Sequence, residues 1–112
     1  MTITTFKKGD RLPEYTATLQ TGSGSAAAAI DLTDCTVLFL MTTDTTGTPK
    51  VNAAATIVGT ATEGNVKYSW DTDDLDTAGD FLVEWEITYA SGKKLTVPSA
   101  GYDTVRVLDD IA

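Results

Sequence analysis

The sequence predicts an all-β fold, an antiparallel β-sandwich formed as one domain over residues 1–112. Three observations predict it. Apolar residues recur at every second position, most clearly at Phe81, Val83, Trp85, Ile87 and Tyr89, with Glu84, Glu86 and Thr88 between them; this is the alternation of a half-buried strand. Turn signals rich in Gly, Pro, Asn and Asp separate the runs at short intervals, and helical periodicity is almost absent. Finally, 112 residues suit a single domain, and a domain of this size buries roughly 65% of the surface its unfolded chain exposes.

Taken in order, residues 1–11 form an N-terminal arm or edge strand. From Leu12 to Leu19 the chain alternates, with Tyr15, Ala17 and Leu19 on one face and Pro13 tolerated at a sheet edge. Residues 21–29 are small and low in complexity, which predicts a flexible loop that buries little area. Residues 36–41 are nearly all apolar, a central strand covered on both faces or one whose outer face meets a partner. A turn with Gly47 and Pro49 leads into a weak Ala- and Thr-rich strand over 51–58, and a second turn ends at Glu63, Gly64 and Asn65. Val66, Tyr68 and Trp70 then share a face. After an Asp-rich turn comes the long strand of Phe81–Tyr89, a Ser91-Gly92 hairpin connection, and the closing runs 95–97 and 105–107. The predicted core is Tyr68, Trp70, Phe81, Val83, Trp85 and Ile87, anchored by the two indoles because aromatics bury the largest areas.

Composition narrows the function. Eight Lys and Arg stand against sixteen Asp and Glu, a net charge of −8. That charge repels phosphate backbones and anionic lipid, so neither nucleic acid nor membrane is expected as a partner. The longest apolar run, 37–41, is far too short to span a bilayer. The N-terminus lacks the basic-plus-apolar pattern of a signal peptide. Cys35 is the single cysteine, which allows no internal disulfide and fits folding in a reducing cytoplasm.

The chain holds no His, which removes the commonest general base, the usual triads and most zinc sites. Cys35 has no imidazole to activate it and reads as a small apolar residue. Asp71, Asp73, Asp74 and Asp76 suggest calcium, but an EF-hand needs Gly sixth and Glu twelfth. Counted from Asp71, those places hold Asp76 and Leu82. A looser Ca²⁺ site between sandwich loops is the weak alternative to a turn whose carboxylates bond local backbone amides. Glu84 and Glu86 point the same way; a glycosidase pair is the alternative to a solvated outer face. Gly22 and Gly24 have no phosphate-loop Lys beside them. No enzyme activity and no cofactor are expected.

Several groups of residues carry a family likeness. They are Lys8-Gly9-Asp10 with Leu12-Pro13, Ile30-Asp31-Leu32-Thr33, Gly64-Asn65-Val66-Lys67-Tyr68-Ser69-Trp70 and Asp76-Thr77-Ala78-Gly79-Asp80-Phe81. Val83 through Ile87, Gly92, Val97-Pro98, Gly101-Tyr102 and Val105-Arg106-Val107 continue it. In order and spacing the chain resembles the immunoglobulin-like N-terminal domain of phage baseplate upper proteins, over nearly its whole length. The resemblance implies an immunoglobulin-like antiparallel β-sandwich of about seven or eight strands with no significant helix. It also implies a structural part of a tailed-phage virion, made in the host bacterial cytoplasm. Asp76 to Gly79 resembles the turn before strand F of immunoglobulin-like domains, where a tyrosine hydroxyl often braces the corner, but Asp80 and Phe81 follow the turn here. The sequence ends at Ala112 without the helical or fibre region of the long members, so the likeness is expected to transfer as a virion structural module rather than as an adhesin holder.

The leading expectation is therefore a non-enzymatic module, present in multiple copies or as a homo-oligomer, that assembles with tail, baseplate or fibre proteins. Leu38, Leu40 and Leu82 are the candidate contact residues. Capsid decoration is the alternative, and a carbohydrate-binding module using Tyr15, Tyr68, Tyr89 and Tyr102 is the second.

Overall fold

The computed structural model describes residues 3–21, 27–43, 48–98 and 102–111. Its strands are β1 (Ile3–Lys7), β2 (Tyr15–Thr18), β3 (Gln20–Thr21), β4 (Ala28–Ala29), β5 (Thr36–Thr42), β6 (Val51–Ala54) and β7 (Thr56–Ile57). They continue with β8 (Asn65–Tyr68), β9 (Gly79–Thr88), β10 (Lys94–Val97) and β11 (Asp103–Leu108). A 3₁₀ turn, Ala61–Glu63, precedes β8.

The large sheet runs β1-β11-β9-β5-β6, with β10 also paired to β9; the small sheet runs β2-β8-β7. β3 and β4 form a separate two-stranded ribbon. Set against an immunoglobulin-like sandwich, β2, β8 and β7 take the places of strands B, E and D. β6, β5 and β9 take those of C′, C and F, and β10 with β11 forms an interrupted strand G. The all-β sandwich is thus the fold, with about eight principal strands once the interrupted one is counted once.

β9 organises the large sheet because its ten residues are long enough to serve three neighbours. β5 pairs along one edge from Thr36↔Thr88 to Thr42↔Leu82. β10 and β11 share the other edge, at Trp85–Thr88 and Gly79–Val83 respectively. Pro98, directly after β10, has no N–H to offer a ladder, which ends that pairing.

The core lies between the two sheets. Tyr68, Trp70, Phe81, Val83, Trp85 and Ile87 are all buried, as the alternation predicts, together with Tyr15, Leu19, Val37, Phe39, Met41, Val105 and Val107. Tyr15 on the small sheet stacks on Trp85 of the large one, with ring centroids 5.8 Å apart and planes 8° from parallel. Phe39 meets Trp85 edge-on at 5.0 Å and stacks on Tyr68 at 4.5 Å. Antibody-type domains join strands B and F by a disulfide packed on a Trp of strand C. Here Tyr15, Trp85 and Phe39 on the corresponding strands make that junction with rings. Both indole N–H groups, of Trp70 and Trp85, are buried without a hydrogen-bond acceptor.

Several expectations are corrected. The sandwich is not wholly antiparallel: β1 runs parallel to β11, Ile3↔Thr104 through Lys7↔Leu108. The edge strand expected within 1–11 is therefore the outermost strand of the large sheet. Residues 51–58 are not one strand. β6 pairs with β5 and β7 with β8, so the chain changes sheets at Ala55. Ala55 N–H donates to the Val37 carbonyl and Val58 N–H to that of Asn65, each at 2.8 Å. Trp70 lies beyond the end of β8, yet is buried. β5 is not covered on both faces: Val37, Phe39 and Met41 face the core, while Leu38 and Leu40 face outward, half-buried.

Of the loop expected at 21–29, residues 22–26 lie outside the described residues. Its two ends pair as β3 and β4, Gln20↔Ala29 and Thr21↔Ala28. The ribbon gives these backbone groups partners that a free loop would find only in water.

Gly64 closes the turn into β8. Its φ is +71°, and a Cβ there would stand 2.7 Å from the Leu19 carbonyl and 3.1 Å from that of Ile30. Only glycine fits both the left-handed backbone and the close approach.

Candidate functional site

Strand parity places one set of side chains outward on the large sheet. They are Leu38, Leu40 and Thr42 on β5, Leu82, Glu84 and Glu86 on β9, and Asn52 and Ala54 on β6. Leu38 lies opposite Glu86, Leu40 opposite Glu84, and Thr42 opposite Leu82. The three expected contact leucines are thus brought together around Glu84. Toward β1 the same face continues through Thr104 and Arg106 to Ile3, Thr5 and Lys7. Ile3 and Leu108 stand 54% and 41% exposed at its border. These border residues were not singled out from the sequence, although the inward Val105 and Val107 imply by alternation that Arg106 and Leu108 face out.

The charges of this face are mostly paired. Arg106 grips Asp80 with two hydrogen bonds, Nε to Oδ1 at 2.9 Å and an Nη to Oδ2 at 3.0 Å. That partnership holds the Asp80 carboxyl below its ordinary range. Lys94 lies 3.4 Å from Glu86. Glu84 makes no ion pair among the described residues. Its half-buried setting, and then the charge of Glu86, push its pKa up. An uncompensated carboxylate among leucines is the kind of group that gains most from a partner or from losing its charge.

The Asp cluster has a different character. Tyr68 Oη donates to Asp74 Oδ2 at 2.5 Å, and the Asp71 N–H donates to the same oxygen at 2.8 Å. Asp71 Oδ1 accepts from the Thr72 N–H at 2.8 Å. Asp76 is taken by Lys50 Nζ at 2.7 Å and by the Thr77 hydroxyl at 2.9 Å. The bonds to the Asp71, Thr72 and Thr77 groups are the turn's own, Tyr68 and Lys50 reach in from outside it, and among the described residues no three metal-ligating side chains converge. Leu75, fully buried in the middle of the turn, pins it to the core, and its carbonyl accepts from the Gly9 N–H. The brace expected from a tyrosine after the turn comes instead from Tyr68 on β8. Burial, then the Asp74 contact, raise the pKa of its phenol.

Cys35 is buried, its Sγ 3.6 Å from the Thr33 carbonyl, and burial first, then Asp31 and Asp34, push its thiol up. That is the opposite of an activated nucleophile. A depression of about 460 Å³ on the small sheet is lined by Thr16, Ala17, Thr18, Val58, Asn65 and Val66, none of them titratable. Another of about 320 Å³ is lined by Arg11, Leu12, Glu14, Ser69 and Trp70. There Arg11 Nε donates to the Trp70 carbonyl, and Glu14 accepts from Ser69 and Lys67. Of the four tyrosines, Tyr15 and Tyr68 are core residues, and Tyr89 and Tyr102 are half-buried.

No protein-family model matches the chain, and no curated protein matches it.

Proposed function

We propose that the chain is a non-enzymatic structural module of a tailed-phage virion, an immunoglobulin-like domain that assembles with tail, baseplate or fibre proteins. The observation that carries this reading is the outer face of the large sheet. A surface built from Leu38, Leu40 and Leu82, with Ile3 and Leu108 at its border, has the chemistry of a protein–protein contact. The resemblance in the order of sequence elements supplies the virion context, and the strand order of the sandwich is compatible with it. Fold alone assigns no function. A carbohydrate module gets less support, because a sugar platform needs exposed rings, and two of the four tyrosines are spent on the core.

Mass spectrometry of purified particles, with immunogold labelling on the same preparation, tests the reading. The expected result is the chain in fixed stoichiometry at the tail or baseplate; label on the head transfers the reading to capsid decoration. Absence from particles overturns it.

A further inference from the structure

The outer face of the large sheet has a charge balance unlike that of the chain. The whole chain carries −8. The outward positions of β1, β9, β10 and β11 carry three acids, Asp80, Glu84 and Glu86, and three bases, Lys7, Lys94 and Arg106. Those of β5 and β6 carry no charge at all. The face is therefore neutral, and the excess of negative charge lies elsewhere on the molecule. Two copies of an acidic protein repel each other on approach, and this face is where they meet without that penalty while covering leucines.

We propose that this face docks on a second copy of the chain, face to face, and that Glu84 limits how tightly the two copies hold at neutral pH. The inference rests on reading this face as a contact surface and names its partner. An isologous pair sets the same patch against itself. Asp80–Arg106 and Glu86–Lys94 enter it already neutralised. Glu84 has no ion-pair partner among the described residues. The face spans about five strands, roughly 600 Å² on each copy, the size of a weak or transient contact. Burying Glu84 among leucines opposes the pairing while it is ionised. Its pKa is raised by desolvation and by Glu86, so the protonation that removes that obstacle comes at a higher pH than for a free carboxylate.

Sedimentation equilibrium at pH 7.5 tests this with the wild type, Glu84→Gln, Glu63→Gln and Leu40→Lys together with Glu84→Gln. Glu63 is exposed on the 3₁₀ turn, away from the face, so Glu63→Gln removes the same charge elsewhere. Circular dichroism confirms that each variant folds. The expected result is a dimer at least ten-fold tighter in Glu84→Gln than in the wild type, no gain in Glu63→Gln, and loss of the dimer on adding Leu40→Lys. Equal gains in the two Gln variants, or a Glu84→Gln protein that stays monomeric at millimolar concentration, overturn it. Presence in particles is measured separately. A monomer found in virions sinks this inference alone, and a dimer absent from virions sinks only the virion reading.

Discussion

On β5 and β9 the outward positions hold Leu38, Leu40, Leu82, Glu84 and Glu86, whereas on β2, β7 and β8 they hold Thr16, Thr18, Thr56, Asn65 and Lys67. The inward positions of both sheets are alike: aromatics and branched aliphatics, buried against each other. The small sheet's exterior satisfies itself, Thr18 Oγ1 bonding Asn65 Oδ1 at 2.7 Å and Lys67 pairing with Glu14 at 3.2 Å. The large sheet's exterior leaves leucines half-covered and one carboxylate uncompensated. In a two-layer sandwich the inner faces are dictated by the fold, because each must bury the other. The outer faces answer to whatever they meet. Water suffices as the neighbour of the small sheet, and the proposed protein contact is the neighbour that would cover the large one.

The largest expected effect removes what the two sheets have in common. Trp85→Ala deletes the ring that Tyr15 stacks on and Phe39 meets edge-on, and should cost about 3–5 kcal/mol. That is much of a typical domain's roughly 5–15 kcal/mol. Urea unfolding followed by tryptophan fluorescence of the remaining Trp70 reads it, and a loss under about 1 kcal/mol would mean that the sheets are joined by other contacts.

Next in size is a change confined to the small sheet's approach. Gly64→Ala puts a methyl group against the Leu19 and Ile30 backbones at a positive φ. It should destabilise by about 1–3 kcal/mol, with hydrogen exchange rising first at Leu19 and Ile30, whose amides bond to Gly64 and Leu19 carbonyls. Uniform exchange across both sheets would argue against a local clash.

Tyr68→Phe separates brace from packing. The ring stays in the stack with Phe39, and only the bond to Asp74 goes. A loss of about 1–2 kcal/mol is expected, along with faster proteolysis of residues 71–76. An unchanged stability would show that the Asp71 amide holds the turn unaided.

The smallest effect belongs to the outer face of the large sheet. Because Glu84 has its folded-state pKa raised above the ordinary 4.5, ionising it costs the folded state. That cost is absent below the ordinary value and complete above the raised one, so this residue lowers stability as pH rises through that window. Glu14, Asp31, Asp76 and Asp80 work the other way: their lowered values add stability above the ordinary carboxylate range, lost as pH falls through the lowered values. Glu84→Gln should therefore gain up to about 0.5 kcal/mol at pH 7 and nothing at pH 4. Paired urea titrations at micromolar concentration measure it; a gain of equal size at both pH values would assign the effect to something other than charge.

Alternation along Phe81–Ile87 determined by itself that this stretch is a strand, which of its residues enter the core, and that Glu84 and Glu86 stay out. The inward–outward order of a strand is local, fixed by a two-residue repeat. The outward leucines, Leu38, Leu40 and Leu82, were legible for the same reason. Their gathering around Glu84 was not, because cross-strand neighbours depend on register between segments some forty residues apart in sequence. Nor was the division of residues 51–58 between two sheets, since Ala and Thr fit either exterior and only backbone partners on β5 and β8 decide. The parallel pairing of β1, the burial of Leu75 inside an acidic turn and the capture of Asp74 by Tyr68 are likewise long-range. Each is settled by which backbone or side-chain group the folded chain brings within hydrogen-bonding or packing distance, which no local pattern encodes.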